Sequence, residues 1–167
     1  MKILRWVLPV ALVYGAFAYG QKGPESFVGK TVPTFTSKTF DGKTVSNKTL
    51  KGKPYILDFW ATWCGPCKAA SPTMQAIHQK YASKGLVVIG ADILEESGGL
   101  AIAKKYPKEH KYTYTFTTGN EPLGEKLGIT GIPCILFVDK NGKVIAVRTG
   151  FKKDSPTDFD NLAKSLL

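Results

Sequence analysis

Apolar residues along this chain follow two rhythms. Tyr55-Ile-Leu-Asp-Phe-Trp60 is nearly continuous, the pattern of a strand covered on both faces, and Leu86 to Ala91 repeats it. Between them, Gly65 to Lys84 carries Ala69, Met74, Ile77 and Tyr81 at helical spacing, with Pro72 expected to kink the helix. Thr34 to Val45 alternates weakly around Asp41-Gly42, a hairpin signal. Ser46 to Leu50 reads as one helical turn. Ser97 to Tyr106 reads as a helix, Lys111 to Thr117 as a β-prone stretch, and Glu121 to Leu127 as a short helix closed by Gly128. Ile135 to Asp139 and Lys143 to Thr149 read as strands joined by Asn141-Gly142, where a type I′ turn is expected. A helix over Ser155 to Leu167 closes the chain. This order predicts an α/β fold: a central mixed β-sheet flanked by helices, with an N-terminal β-hairpin. No internal repeat or low-complexity tract interrupts it.

The first twenty residues break the pattern. Lys2 and Arg5 are followed by an uncharged run from Trp6 to Gln21, interrupted by Pro9 and Gly15. Ala16, Ala18 and Gly20 offer small residues where a signal peptidase cuts. Residues 1–20 therefore read as a signal peptide or a retained N-terminal membrane anchor, and 21–33 as a linker and the start of the domain. The domain itself is expected over 34–167, outside the cytoplasm, where disulfides are permitted.

At 167 residues, with 43% hydrophobic and 22% charged residues, one domain with an apolar core is expected. The net charge is +10, and the lysines lean toward the N-terminal part, with seven between Lys22 and Lys53 against two acids. A solvated lysine-rich face accounts for them, and no arginine stripe or nucleic-acid motif supports a DNA or RNA role.

The candidate chemistry sits at Trp63-Cys64-Gly65-Pro66-Cys67, between a buried strand and a helix start. A thiolate there faces unpaired N–H groups and the positive end of the helix dipole, which lowers its pKa. Cys64 is expected in the first turn as the more exposed nucleophile, and Cys67, one turn on, as the resolving thiol. Gly65 and Pro66 preset a tight helix entry. Half of a zinc site and a purely structural disulfide are competing readings. Zinc would need further ligands at proper spacing, and only Cys134, His78 and His110 remain, scattered.

Asp58-Phe-Trp-Ala-Thr-Trp-Cys-Gly-Pro-Cys67 resembles the active-site segment of thioredoxin-fold proteins. Lys51-Gly-Lys-Pro54 and Thr39-Phe-Asp-Gly-Lys43 are similar to the extracytoplasmic TlpA/ResA-type branch, and Gly131-Ile-Pro133 to the family's cis-proline turn. The resemblance spans roughly residues 27–167. It implies a thioredoxin-like fold with a helix–strand insertion over Ser97 to Thr117. It also implies an exported thiol-disulfide oxidoreductase cycling through a Cys64–Cys67 disulfide, without metal or organic cofactor. The implied partners are disulfide-bearing proteins, apocytochrome c before haem attachment being one example, and a membrane or periplasmic electron donor such as a transmembrane thiol transporter.

Site roles follow from the same resemblance. Asp58 is placed beneath the cysteines as proton acceptor for Cys67, although many members of the branch carry an amide there. Ile132-Pro133 is placed facing the cysteines, with a cis bond and free backbone groups for a substrate strand. Glu95 matches, loosely, a glutamate that helps set specificity and thiol ionisation; alternatively Glu95-Glu96 starts a helix. Cys134 stands where threonine is common, as a third reactive thiol or as a small buried hydrophobe. Trp60 and Trp63 are expected to shield the site and shape its contact surface. His78 is expected to face solvent. A peroxidase and a copper chaperone of related fold are the rival activities, and the cysteine spacing argues against both.

Overall fold

A computed structural model describes residues 23–96 and 98–167. The expectations placed on residues 1–22, the export segment included, lie outside these. Seven strands form one sheet: β1 (Thr36–Thr39), β2 (Thr44–Ser46), β3 (Tyr55–Trp60), β4 (Val87–Asp92), β5 (Thr115–Thr118), β6 (Cys134–Val138) and β7 (Val144–Thr149). Their order is β2-β1-β5-β4-β3-β6-β7. β3, β4 and β5 run parallel, while β6, β7 and the β1–β2 hairpin are antiparallel to their neighbours. β3 lies between β4 and β6 with both faces covered, and all six of its residues are buried.

Four helices complete the body: α1 (Gly65–Tyr81), α2 (Gly99–Glu109), α3 (Glu121–Leu127) and α4 (Ser155–Ser165). One face of the sheet packs Ile56, Trp60, Phe116 and Phe137 against Met74 and Ile77 of α1, Tyr106 of α2 and Phe159 of α4. The other packs Leu57, Phe59, Ile89 and Leu136 against Leu123 and Leu127 of α3 and Val32 and Phe35 of the N-terminal segment. The result is a three-layer α/β/α body. α2 and β5 form the expected insertion, and β5 joins the N-terminal hairpin to β4. Within α1, Ala70 is buried and Ala69 exposed, and the helix continues through Pro72.

Three local expectations change. Ser46 ends β2, and residues 47–50 form turns rather than a helix. The described part of 21–33 is packed onto the body: Pro24–Phe27 is a 3-10 turn, Gly29 N–H donates to the Val144 carbonyl, and Thr31 bridges Lys143. The hairpin at Asn141-Gly142 is not type I′. Gly142 has φ 79°, but Asn141 is not left-handed, and Gly142 N–H donates to the Asp139 carbonyl. This is a turn over Asp139–Gly142 whose last position is the left-handed glycine, the longer hairpin solution. The Asp139 carboxylate selects it by accepting from the Asn141 and Lys143 N–H groups. The Asp41-Gly42 hairpin repeats the device, with Thr39 Oγ1 accepting from Lys43 N–H.

Candidate active site

Cys64 is the N-cap of α1 rather than a first-turn residue. Its Sγ accepts a hydrogen bond from Cys67 N–H at 3.2 Å, so it sits on the unpaired donors of a 17-residue helix. The first turn holds no acid to oppose an anion there. Gly65 and Pro66 occupy the first two helical positions, and proline needs no N–H partner at that point. Cys64 and Cys67 are joined by a disulfide, with Cα atoms 5.3 Å apart. Cys64 is 3% exposed and Cys67 fully buried. The exposed wall beside them is Trp63, at 53%, whereas Trp60 is core, packed on Tyr106 and Phe116. Shaping a contact surface therefore falls to Trp63 alone.

Asp58 lies between Ile56 and Trp60 on β3, on the strand face that packs against the cysteine cluster. It is 1% exposed, which excludes a water-exposed strand end. Burial pushes its carboxyl up to about 7, and Oδ1 has no hydrogen-bond partner among the described residues. Its neighbour across β4 is Gly90, where a Cβ would come within 2.9 Å of the Phe116 ring and 3.2 Å of Tyr114. The missing side chain lets both rings close over this part of the strand. Tyr106 Oη donates to Ser71 Oγ, which in turn donates to the Cys67 carbonyl at 3.1 Å, tying α2 to the first turns of α1.

The Ile132–Pro133 peptide bond is cis. β3 and β6 pair Phe59 with Cys134, so continuing that register sets Pro133 beside Trp60, where the chain leaves for Cys64. Ile132 is half-buried and touches both cores.

Cys134 falls on the other face of the sheet, in the cluster with Phe59 and Leu136 and away from the disulfide. Burial pushes its thiol up to about 12. That arrangement is the small buried hydrophobe, and the sheet separates it from Cys64. Cys134→Ala is expected to re-form the Cys64–Cys67 disulfide at the parent rate and to lose about 1 kcal/mol of stability. Oxidation monitored by thiol counting, together with urea unfolding, checks both; slower closure in the variant would contradict the separation.

Glu95 does not start a helix, because α2 begins at Gly99. Its carboxylate accepts from Thr62 N–H at 2.5 Å and Thr62 Oγ1 at 2.7 Å, two residues before Cys64. Trp63 Nε1 donates to the Leu94 carbonyl at 2.8 Å. Thr62 and Asp92 belong to this neighbourhood, and sequence reasoning passed over both. Asp92 carried a readable signal, since it is an acid closing a buried apolar strand, as Asp58 is an acid inside one. His78 is half-buried, which lowers its pKa. His110 stacks on Tyr112 and lies tilted against Tyr106. Neither reaches the cysteines, and no cluster of metal-ligating side chains occurs among the described residues.

An α/β/α body that offers one cysteine at a helix N-cap, bridged to a second in the first turn, defines a thioredoxin-fold protein built for thiol–disulfide chemistry. Comparisons with known proteins agree. The Redoxin family profile matches residues 27–166. The thiol-disulfide oxidoreductase ResA of Bacillus cereus (strain ATCC 10987 / NRS 248) is 33% identical over 129 residues, covering 76% of this chain and 72% of that one. The thiol:disulfide interchange protein DsbE of Pseudomonas fluorescens biotype C is 31% identical over 153 residues, covering 84% and 82%. A crystal structure of a thioredoxin-family thiol:disulfide interchange protein from Chlorobium tepidum TLS superposes with a TM-score of 0.70 at 32% identity, over 81% of this chain and 94% of that one. The chain belongs to the Redoxin family, among its thioredoxin-like thiol-disulfide oxidoreductases.

Proposed function

We propose that the chain is an exported reductant of partner-protein disulfides, with Cys64 as nucleophile and Cys67 as resolving thiol. The observation that carries this reading is the Cys67 N–H bonded to Cys64 Sγ at the N-cap, with Cys67 buried directly behind. In the reduced protein the Cys64 thiolate attacks one sulfur of the partner disulfide. The partner's S–S bond breaks, a mixed disulfide forms, and one partner thiolate leaves. Cys67 then gives its proton to Asp58 and attacks Cys64 Sγ. The Cys64–Cys67 bond closes and the second partner thiolate leaves, so two electrons have passed to the partner. Pro133 and Ile132 border the site where an extended partner segment would lie.

Export rests on the basic, then apolar, then small-residue start of the chain. A role in cytochrome c maturation rests on the resemblance of the active-site segment and its flanks to the TlpA/ResA-type branch. The disulfide must be reduced again by a dithiol donor, and a membrane or periplasmic thiol transporter fits that need. Among the described residues no helix is long and apolar enough to cross a membrane. The uncharged N-terminal run would supply membrane contact where it is retained uncleaved.

A trapping experiment tests the reading. Cys67→Ser, expressed in a cell that exports it, is expected to accumulate mixed disulfides on Cys64 with extracytoplasmic proteins, identified by mass spectrometry. Recovery of cytoplasmic partners only, or of none, would overturn it.

A further inference from the structure

We infer that Leu94 is a specificity-determining residue of the exchange: with Trp63 it forms an exposed apolar ridge beside Cys64 that fits a disulfide-bearing polypeptide with an apolar side chain next to its cysteine. Given the exchange proposed at Cys64, Leu94 adds the class of partner it favours. Leu94 is 47% exposed and Trp63 53%, and the Trp63 indole Nε1 donates to the Leu94 carbonyl at 2.8 Å. The two residues therefore meet at the surface, and Trp63 directly precedes the N-cap cysteine. One exposed leucine on a protein surface is ordinary. Two large apolar residues tied together beside a reacting disulfide point to a contact surface.

Among the described residues nothing accounts for a leucine here. Its backbone lies at φ 58°, in the left-handed region that glycine and asparagine enter readily and a leucine enters only at a cost. Its side chain belongs to neither core cluster. What the fold uses is the Leu94 main chain, whose carbonyl a glycine would offer equally. The left-handed turn lets three consecutive residues hold the segment before Cys64. Ile93 N–H donates to the Trp60 carbonyl at 3.0 Å, the Leu94 carbonyl accepts from Trp63, and the Glu95 carboxylate accepts from Thr62. None of these bonds involves the Leu94 side chain, and together they fix the ridge before any partner arrives. A partner's apolar side chain thus meets a preformed surface and orders no loop in binding. Covering the Leu94 side chain takes another molecule, and the molecule brought to this place is the one whose sulfur approaches Cys64.

Two synthetic peptides test this, each closed by a single disulfide and differing only in phenylalanine or serine beside both cysteines. The readout is the ratio of kcat/KM for the reduced full chain on the two peptides, in which any general change at Cys64 cancels. The parent is expected to favour the phenylalanine peptide about tenfold, the scale of removing much of one apolar side chain from water. Leu94→Gly and Leu94→Ser should cut the preference to about twofold or less, while Leu94→Met, which restores an apolar side chain, should keep it. Leu94→Gly should also unfold in urea at or above the parent's midpoint, since glycine takes φ 58° freely, so the lost preference is not lost folding. An undiminished preference in Leu94→Gly would overturn the inference. Should Leu94→Gly not fold, Leu94→Ser against Leu94→Met decides. Oxidised glutathione separates this failure from that of the exchange itself. A parent that reduces glutathione but treats the two peptides alike keeps the exchange at Cys64 and loses the role of Leu94; a parent that reduces no disulfide loses both.

Discussion

Cys64→Ser is expected to lose reduction of a protein disulfide by at least about a thousandfold, because the exchange needs a thiolate and a serine hydroxyl does not supply one. Cys67→Ser is expected to keep the first attack and stop after one turnover with the partner attached. The difference follows from placement. Cys64 caps α1 and keeps a sliver of exposed surface, 3%, while Cys67 lies in the first turn with none. A partner sulfur can therefore approach only Cys64, and Cys67 can reach only the sulfur in front of it. Rapid-mixing kinetics with a disulfide-bonded protein, read beside non-reducing gels, separate the two variants. A Cys64→Ser protein that still forms the mixed disulfide through Cys67 would reverse the roles.

Asp58→Asn is expected to raise stability and lower turnover together. The carboxyl is held at about 7 by burial against an ordinary value of 3.8, so the folded protein retains a proton that the unfolded chain releases. Between those two values the unfolded state binds fewer protons, and stability falls as pH rises. The loss is complete above about pH 7 and amounts to up to about 4 kcal/mol. Asparagine removes the ionisation and with it this dependence. Urea unfolding should place the variant level with the parent near pH 4 and several kcal/mol above it at pH 8. The resolving step should slow about a hundredfold, the scale of removing a positioned base, and should lose the rise in rate that the parent shows through pH 7. Equal pH slopes of stability in the two proteins would contradict a buried, proton-holding Asp58.

Much of this was legible in the sequence because the signals are local. The six-residue run of β3, the helical spacing of α1 and the Cys-Gly-Pro-Cys entry each report their own element. The remainder depends on contacts between distant segments. β6 is apolar throughout, so nothing within Cys134-Ile-Leu-Phe-Val138 says which face Cys134 takes; its register against β3 decides it. Gly23, Pro24 and Gly29 read as linker residues, yet the β6–β7 hairpin captures that stretch. The Asn141-Gly142 turn changed type because a side chain two residues upstream, Asp139, competes for its N–H groups. Thr62 and Glu95 stand 33 residues apart, and only the parallel pairing of β3 with β4 brings their loops together.

The central claim is that the start of α1 makes one sulfur acidic. The direct measurement is the pH dependence of iodoacetamide alkylation at Cys64 in the reduced protein. The account predicts a midpoint at least about one pH unit below the 8.5 of a free cysteine. A midpoint at or above that value would contradict it.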